Sequence, residues 1–214
     1  MNTLYPFILT VISALGTLLG SLLVFVPFKH KNTLFKHLLT LCGFILLFLS
    51  LFDLLPNGLI YIFNNVFILY GIVFLLIVYL LGSITYKVIS KSNNNTLCFK
   101  SFLILFIHNV PEGIITYLTY NINSKLGITM ALVILIHNIP EGLLLTISSF
   151  LNDKSYKKGF LFALVSSFAE PIGALIAFLF LRNIKEYVLG FLLVFVVILM
   201  VNLSINDLIK KYKK

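Results

Sequence analysis

A six-residue motif occurs twice in this chain, each time inside a long apolar stretch. Residues 108–113 read His-Asn-Val-Pro-Glu-Gly, and residues 137–142 read His-Asn-Ile-Pro-Glu-Gly. Each copy brings an imidazole, a carboxamide and a carboxylate into hydrocarbon surroundings, where an ionisable group is costly unless it faces a cavity, a charged partner or an ion. The repetition therefore predicts a metal-binding site that lies within a membrane.

The spacing inside each motif places its side chains on defined edges of a helix. Residues four positions apart lie about 40° apart in projection and one turn along the axis, so they point the same way. Asn109 and Asn138 follow the histidines directly and form a second edge with the same glutamates. If the two helices face each other, those glutamates could bridge two ions. The pairs predicted to share the first edge are His108 with Glu112 and His137 with Glu141.

The types of these ligands restrict the metal. Neutral imidazole with carboxylate and carboxamide oxygen suits Zn²⁺, Fe²⁺, Mn²⁺ or Co²⁺, and the lack of cysteine and methionine in the motifs argues against Cu⁺. Pro111 and Pro140 each remove a backbone hydrogen bond within the motif helix. The glycine after each glutamate allows close approach of a neighbouring helix. We therefore expect both motifs to lie at points where helices cross.

A third carboxylate lies in the next apolar stretch, where residues 169–173 read Ala-Glu-Pro-Ile-Gly. Glu170 is predicted to be a ligand from a third helix. A second interpretation is a buried glutamate that is hydrogen-bonded to a nearby hydroxyl, and Ser166 and Ser167 are close enough in sequence to supply it. Both interpretations place the Glu170 carboxylate inside the helix bundle.

Two aspartates and one asparagine fall near the predicted ends of apolar stretches. Asp53 begins the sequence Asp-Leu-Leu-Pro that closes the second stretch, and Asn202 and Asp207 close the last one. For both aspartates, a solvated helix cap and the mouth of an ion path remain open as interpretations. Asn202 is grouped with Asp207 as a candidate for the same path.

The elements that must position these residues are membrane-spanning helices. Hydrophobic residues make up 60% of the 214 residues and charged ones only 11%, against roughly 45–50% and 25% in a globular domain. Apolar stretches of about 20 residues span a bilayer. The connections between the stretches are short, which predicts one all-α polytopic bundle over residues 1–214. The seven predicted spans are Leu4–Phe28, Leu34–Leu55, Ile60–Tyr86, Cys98–Thr119, Leu126–Phe150, Gly159–Leu181 and Tyr187–Ile209.

The basic residues are distributed unevenly between the two sides of this bundle. Thirteen of the sixteen lysines and arginines fall on one side of seven alternating spans. Positive charge concentrates on the cytosolic side, so the N-terminus is predicted outside and the C-terminus in the cytosol. This placement also argues against nucleic-acid binding through a basic surface, despite the net charge of +9. The one-sided residues are Lys29, Lys31, Lys36, Lys87, Lys91, Lys100, Lys154, Lys157, Lys158, Lys210, Lys211, Lys213 and Lys214; the others are Lys125, Arg182 and Lys185.

With both motifs in consecutive helices, followed by Ala-Glu-Pro-x-Gly, the chain resembles the ZIP (Zrt/Irt-like) family of divalent metal transporters, most of all its bacterial branch. The resemblance implies a transporter rather than an enzyme, with Zn²⁺ or Fe²⁺ as substrate and no cofactor. It implies alternating access that moves metal into the cytosol, from outside the cell or from an organelle lumen. The primary site would comprise His108, Glu112, His137 and Glu141; the second would add Asn109, Asn138 and Glu170 to the bridging glutamates, with Asp53 and Asp207 along the path.

Two features depart from that family. Its members normally have eight spans, whereas seven are predicted here. We therefore expect a second copy of the chain, a partner helix or lipid to cover the face that the eighth helix would occupy. The loop around residues 87–97 is also short and lacks the histidine cluster often found there, so the resemblance does not extend to metal sensing by that loop.

Two other classes of protein would also use buried histidines. The first is an intramembrane metalloprotease or di-metal oxidase, but a protease of this kind uses His-Glu-x-x-His, and the chain has His-x-x-x-Glu instead. The second is a haem protein with His108 and His137 as axial ligands. Haem binding leaves the two glutamates, two prolines and two asparagines of the motifs unexplained.

Overall fold

The computed structural model describes residues 4–27, 31–91, 96–180 and 185–212. Seven helices in this part of the chain are long and apolar enough to cross a membrane, as predicted. No strand occurs among the described residues, and the chain is a multi-pass integral membrane protein of all-α class. The helices are α1 (Leu4–Leu23), α2 (Lys31–Phe63), α3 (Ile68–Lys91), α4 (Leu97–Ile122), α5 (Ser124–Asp153), α6 (Tyr156–Phe180) and α7 (Glu186–Ile209).

The connection between α4 and α5 brings the two motif helices together. The Asn123 side chain accepts hydrogen bonds from the amides of Lys125 and Leu126, at 3.0 and 3.2 Å, and so caps the start of α5. The Asn123 amide donates to the Thr119 carbonyl at the end of α4. One residue thus ends one helix and begins the next, which forces α4 and α5 to run side by side in opposite directions.

Glycines let the helices around the motifs approach backbone to backbone. A methyl group on Gly113 would overlap the Glu170 carbonyl of α6, and one on Gly142 would overlap the Thr17 carbonyl of α1. Gly16 of α1 meets the Leu135 carbonyl of α5 in the same way. The predicted role of the motif glycines is therefore confirmed, since each lies at a helix crossing that a larger residue would push apart.

The second helix is longer than predicted. We expected it to end at Leu55 and the third span to begin at Ile60, but α2 continues to Phe63. The reason is a π-helical turn at Ser50–Leu54, in which the Leu55 amide donates to the Ser50 carbonyl five residues back. The wider turn lets the helix continue through Pro56, which cannot donate a hydrogen bond of its own.

Side-chain contacts define the two ends of the bundle. At one end the Lys31 ammonium lies 3.3 Å from the Tyr156 hydroxyl, and the rings of Phe99 and Phe162 join the starts of α4 and α6. At the opposite end the Asn65 amide donates to Glu186 at 3.2 Å. Two predicted span ends, Phe28 and Leu181, lie outside the described residues. So do four of the basic residues counted above, Lys29, Arg182, Lys213 and Lys214.

Candidate metal centre

Four side chains of the repeated motif meet between α4 and α5. The Nε2 atoms of His108 and His137 are 3.3 Å apart. Oε1 of Glu112 lies 3.1 Å from the first nitrogen and 3.7 Å from the second, and Oε1 of Glu141 lies 3.2 and 3.7 Å from the same atoms. The structure thus brings together the four residues whose spacing predicted a shared edge.

These separations match those of atoms that share one metal ion. Ligand atoms bound tetrahedrally to Zn²⁺ at about 2.0–2.1 Å lie roughly 3.3 Å from one another. His108, Glu112 and His137 offer atoms that all lie within 4.8 Å of one another. The structure thus groups one ligand atom each from His108, Glu112 and His137 around one possible ion position, with Oε1 of Glu141 beside it at 3.2 Å from Nε2 of His108.

The four side chains are enclosed by protein. His108 and Glu141 are 0% exposed, and Glu112 and His137 are at most 5% exposed. Among the described residues, Oε2 of Glu112, Oε2 of Glu141 and Nδ1 of His108 have no hydrogen-bond partner. Buried polar atoms are rarely left unpaired, and two buried carboxylates need compensating positive charge. A divalent cation would supply that charge.

A second group of polar residues lies on the neighbouring helices. Asn138 of α5 donates from Nδ2 to Oε1 of Glu170 at 2.6 Å and to the Ser13 carbonyl of α1 at 3.1 Å. The Ser13 hydroxyl donates to the other oxygen of Glu170. Glu170 is hydrogen-bonded to a hydroxyl, as one interpretation required, but the hydroxyl belongs to Ser13 and not to the predicted Ser166 or Ser167.

Asn109 is held by another residue of α6. Its Nδ2 donates to the Ser166 carbonyl at 3.2 Å and to the Ser166 hydroxyl at 3.4 Å. Its Oδ1, like that of Asn138, is buried and has no donor among the described residues. Both predicted carboxamide ligands are thus buried with the oxygen unpaired, although no hydrogen bond in the described part of the chain joins them to each other.

The residues predicted for the ion path do not join this cluster. Asp207, in a π-helical turn at Leu203–Ile209, accepts from the Lys100 ammonium at 2.8 Å and from the Tyr86 hydroxyl at 2.7 Å. Asn202 donates to the Ile198 carbonyl of its own helix at 2.8 Å. The structure places both near the basic end of α7.

Asp53 requires a correction, because it does not lie at a helix end. It belongs to the π-helical turn at Ser50–Leu54, in the middle of α2, and it accepts from the Asn57 amide at 3.0 Å. A capping role is therefore wrong for Asp53, since α2 does not end there. Its position beside a helix irregularity is one at which functional side chains are often found.

Sequence reasoning missed the contribution of α1. Thr10, Ser13, Thr17 and Ser21 are all 0% exposed and recur every three or four residues, a spacing that places them on one helix face. The Ser21 hydroxyl lies 2.5 Å from that of Thr146 in α5. The spacing of these polar residues can be read from the sequence, but the helices that they contact, α5 and α6, cannot.

Comparison with known proteins finds sequence similarity that includes both motif helices. The sequence profile of the ZIP zinc transporter family matches residues 90–209, which include both motifs, Glu170 and Asp207 but neither Ser13 nor Asp53. The chain is similar to a zinc transporter ZupT of Chlorobium phaeovibrioides, with 31% identity over 98% of this chain and 88% of the relative. A ZupT of Shigella dysenteriae serotype 1 is 31% identical over 98% of this chain and 87% of its own length.

A shorter and more similar match is to a zinc transporter ZupT of Clostridium perfringens. It is 42% identical over 113 residues, which are 52% of this chain and 40% of the relative. A ZupT of Chlorobaculum parvum shows the same pattern, with 44% identity over 110 residues and 41% of its length. The similarity is thus greatest over about half of the chain, while the longer matches extend it over nearly all of it.

Proposed function

This chain belongs to the ZIP zinc transporter family, and we propose that it carries a divalent transition-metal ion across a membrane toward the cytosol. Zn²⁺ and Fe²⁺ are the proposed substrates, and Mn²⁺ and Co²⁺ are further candidates because the same imidazole and carboxylate ligands suit them. The metal is cargo rather than a resident cofactor. The relatives named as zinc transporters favour Zn²⁺ as the first ion to test.

The observation that carries this proposal is the meeting of four motif side chains in the interior of the bundle. Two imidazole nitrogens 3.3 Å apart share two carboxylate oxygens within 3.7 Å. Such a cluster is costly at membrane depth unless it serves an ion or proton. Histidine and carboxylate ligands bind divalent metals without the softer thiolates that would favour Cu⁺.

The second metal position is proposed from the orphaned oxygens around the first. Glu112 and Glu141 each have an oxygen without a partner among the described residues, and so do Asn109 and Asn138. Together with Glu170, these atoms are the proposed ligands of a second ion that shares the glutamates with the first. Bridging carboxylates of this kind are common where two metals are bound inside a helix bundle.

The orientation in the membrane is proposed from the distribution of charge, and transport toward the cytosol is proposed from the resemblance to the ZIP family. The starts of α2, α4 and α6 and the end of α7 lie at the end of the bundle that carries most lysines. Positively charged connections remain on the cytosolic side of a membrane. The carboxylate of Asp207, at that end, would then line the exit of the ion path, and Asp53 the entry side.

Haem binding is a poor alternative. A bis-histidine haem places a porphyrin plane between the two axial nitrogens. Here the carboxylate oxygens of Glu112 and Glu141 lie within 3.7 Å of both nitrogens and occupy the space that the plane would need. The family to which the chain belongs likewise favours transport over an intramembrane di-metal enzyme.

Uptake of radioactive zinc by proteoliposomes tests the proposal. Wild-type protein should accumulate Zn²⁺, whereas Glu112→Gln and Glu141→Gln should each lose nearly all uptake, because each removes a charge from both proposed positions. Glu186→Gln is the matched control, since Glu186 is exposed at one end of the bundle, and it should transport at the wild-type rate. Wild-type uptake by Glu112→Gln would contradict the assignment, and no uptake of Zn²⁺ or Fe²⁺ by wild type would contradict the function.

A further inference from the structure

Ser13 of the first helix makes hydrogen bonds to residues of the metal centre. It is fully buried and lies outside both motif copies and outside residues 90–209, which the family profile matches. Its hydroxyl donates to Oε2 of Glu170 and also lies 3.0 Å from the Thr10 carbonyl of its own helix, and its carbonyl accepts from Nδ2 of Asn138 at 3.1 Å. One residue of α1 thus contacts two of the proposed ligands of the second metal position.

The contact with the Ser13 carbonyl determines which way the Asn138 carboxamide faces. The two groups within reach of Nδ2 are this carbonyl and the Glu170 carboxylate, and both are acceptors. Only the nitrogen of the carboxamide can donate to them. Oδ1 therefore faces elsewhere, and it is buried without a donor among the described residues. A carboxamide binds a metal through this oxygen.

The contact with the Ser13 hydroxyl determines the orientation of Glu170. Each carboxylate oxygen accepts one hydrogen bond, from Ser13 on one side and from Asn138 on the other. Among the described residues, none of the ion pairs includes Glu170, which is 0% exposed. Two neutral groups thus orient a buried carboxyl group that is paired with no cationic side chain among the described residues, which leaves it available to a cation.

The same arrangement recurs for the other motif. Asn109 donates from Nδ2 to the carbonyl and the hydroxyl of Ser166, and its Oδ1 is again buried without a donor in the described part of the chain. In both copies a serine on a neighbouring helix binds the amide nitrogen and leaves the amide oxygen free. The repetition indicates that orienting the carboxamides is a function of these serines and not an accident of packing.

We propose that Ser13 is a positioning residue for the second metal position, which holds Glu170 by its hydroxyl and Asn138 by its carbonyl so that their oxygens face the ion. The proposal rests on the proposed function, because it takes these residues as metal ligands. It makes α1 part of the binding site, although α1 carries none of the motif residues. Loss of the contacts of Ser13 with Glu170 and Asn138 should therefore change metal affinity and metal selectivity more than it changes the stability of the fold.

Two variants test this role against a purely structural one. Ser13→Ala removes the hydroxyl that orients Glu170 and keeps the backbone carbonyl. Thr10→Ala is the matched control, because Thr10 is equally buried on the same helix face and its hydroxyl donates, among the described residues, to the Phe7 carbonyl of its own helix at 2.8 Å. Ser13→Ala removes one oxygen atom and adds no volume, and thermal unfolding of both variants without Zn²⁺ separates a loss of stability from a loss of Zn²⁺ binding.

Equilibrium dialysis of the purified variants against radioactive Zn²⁺ measures binding directly. In Ser13→Ala, loss of a hydrogen bond to a charged group should lower the Zn²⁺ affinity of the second, weaker position about tenfold. The affinity of the first, tighter position should not change. Thr10→Ala should bind both ions as wild type does. In a Glu170→Gln background, Ser13→Ala should have little further effect, because the charge it orients is gone.

Two results of the dialysis experiments would contradict the proposed role of Ser13. Equal binding by Ser13→Ala and Thr10→Ala, or a Ser13→Ala effect that persists in the Glu170→Gln background, would mean that Ser13 acts only through packing. Failure of the proposed function looks different, because wild-type protein would then take up no Zn²⁺ into vesicles whatever its binding. If the protein binds Zn²⁺ but does not transport it, the positioning role of Ser13 is retained and the proposed transport function is wrong.

Discussion

At the scale of single residues, the proposed ligands are of two kinds, namely charged carboxylates shared between positions and neutral carboxamides that serve one position. Glu112 contacts the Nε2 atoms of both histidines and keeps a second oxygen without a partner among the described residues. Asn109 offers only a neutral oxygen and is tied by its nitrogen to Ser166. Removing a shared charge should therefore affect every bound ion, whereas removing a neutral ligand should affect one position.

Substituting Asn109 by alanine tests this difference. Asn109→Ala removes one neutral ligand, a loss of roughly 1–2 kcal/mol that lowers affinity about tenfold. Transport should survive with a changed rate or a changed preference among Zn²⁺, Fe²⁺ and Mn²⁺. Uptake of the three ions by proteoliposomes measures both quantities. A variant as inactive as Glu112→Gln would show that the asparagine is as essential as the glutamate and that the two-edge assignment is wrong.

At the scale of helices, the site depends on backbone contacts that only glycine permits. The motif glycine of α4, Gly113, lies against the Glu170 carbonyl of α6, and Gly173 of α6 lies against the Val110 carbonyl of α4. The backbones of α4 and α6 therefore touch at two points, and this crossing holds Glu170 beside the motif of α4. A larger residue at either glycine would separate the two helices, because backbone atoms cannot move aside as a flexible side chain can.

We expect Gly113→Ala to destabilise the protein by about 1–3 kcal/mol through overpacking and to weaken Zn²⁺ binding. Gly82→Ala is the matched control, because the three atoms nearest to a methyl group there belong to the Ile198 side chain, at 3.0–3.3 Å, and not to a backbone. That substitution should destabilise the protein less than Gly113→Ala, since a side chain can shift and alanine favours the helix. Thermal unfolding in detergent, with and without Zn²⁺, measures both effects. Equal melting temperatures for the two variants would contradict the inferred importance of the crossing.

At the scale of the whole molecule, the bundle has one basic end and one end with few charges. Lys157 is exposed in the first turn of α6, and Lys125 is exposed at the start of α5, at the other end. Both native cysteines, Cys42 and Cys98, are buried, so they should react slowly with a membrane-impermeant maleimide. Single introduced cysteines can therefore report on the orientation in intact cells.

Lys125→Cys should be labelled from outside, and Lys157→Cys should be protected until the cells are opened. The physical reason is that the lysine-rich end is retained in the cytosol. The unsubstituted chain, labelled in parallel, gives the background from the buried cysteines. Labelling of position 157 from outside would reverse the proposed orientation, and labelling of both positions would contradict the alternation of seven spans.

Local rules in the sequence were sufficient for the helices and for the meeting of the four first-edge side chains. Apolar length predicted seven spans, and the four-residue spacing predicted which motif side chains point the same way. The single residue Asn123 between α4 and α5 then makes the two motif helices neighbours, which allows His108 and His137 to meet. Boundaries were less well predicted, because the π-helical turn at Ser50–Leu54 carries α2 past Pro56.

Only the tertiary structure decided what surrounds that position. The Ser13 hydroxyl and Glu170 are 157 residues apart in sequence, and Lys100 and Asp207 are 107 apart. No periodicity within one helix specifies which neighbour a buried face will meet, because that choice depends on how several helices pack together and satisfy one another's buried polar groups. The sequence by itself therefore determined the ligands that lie on adjacent helices, while packing of the whole bundle determined the residues that hold them in place.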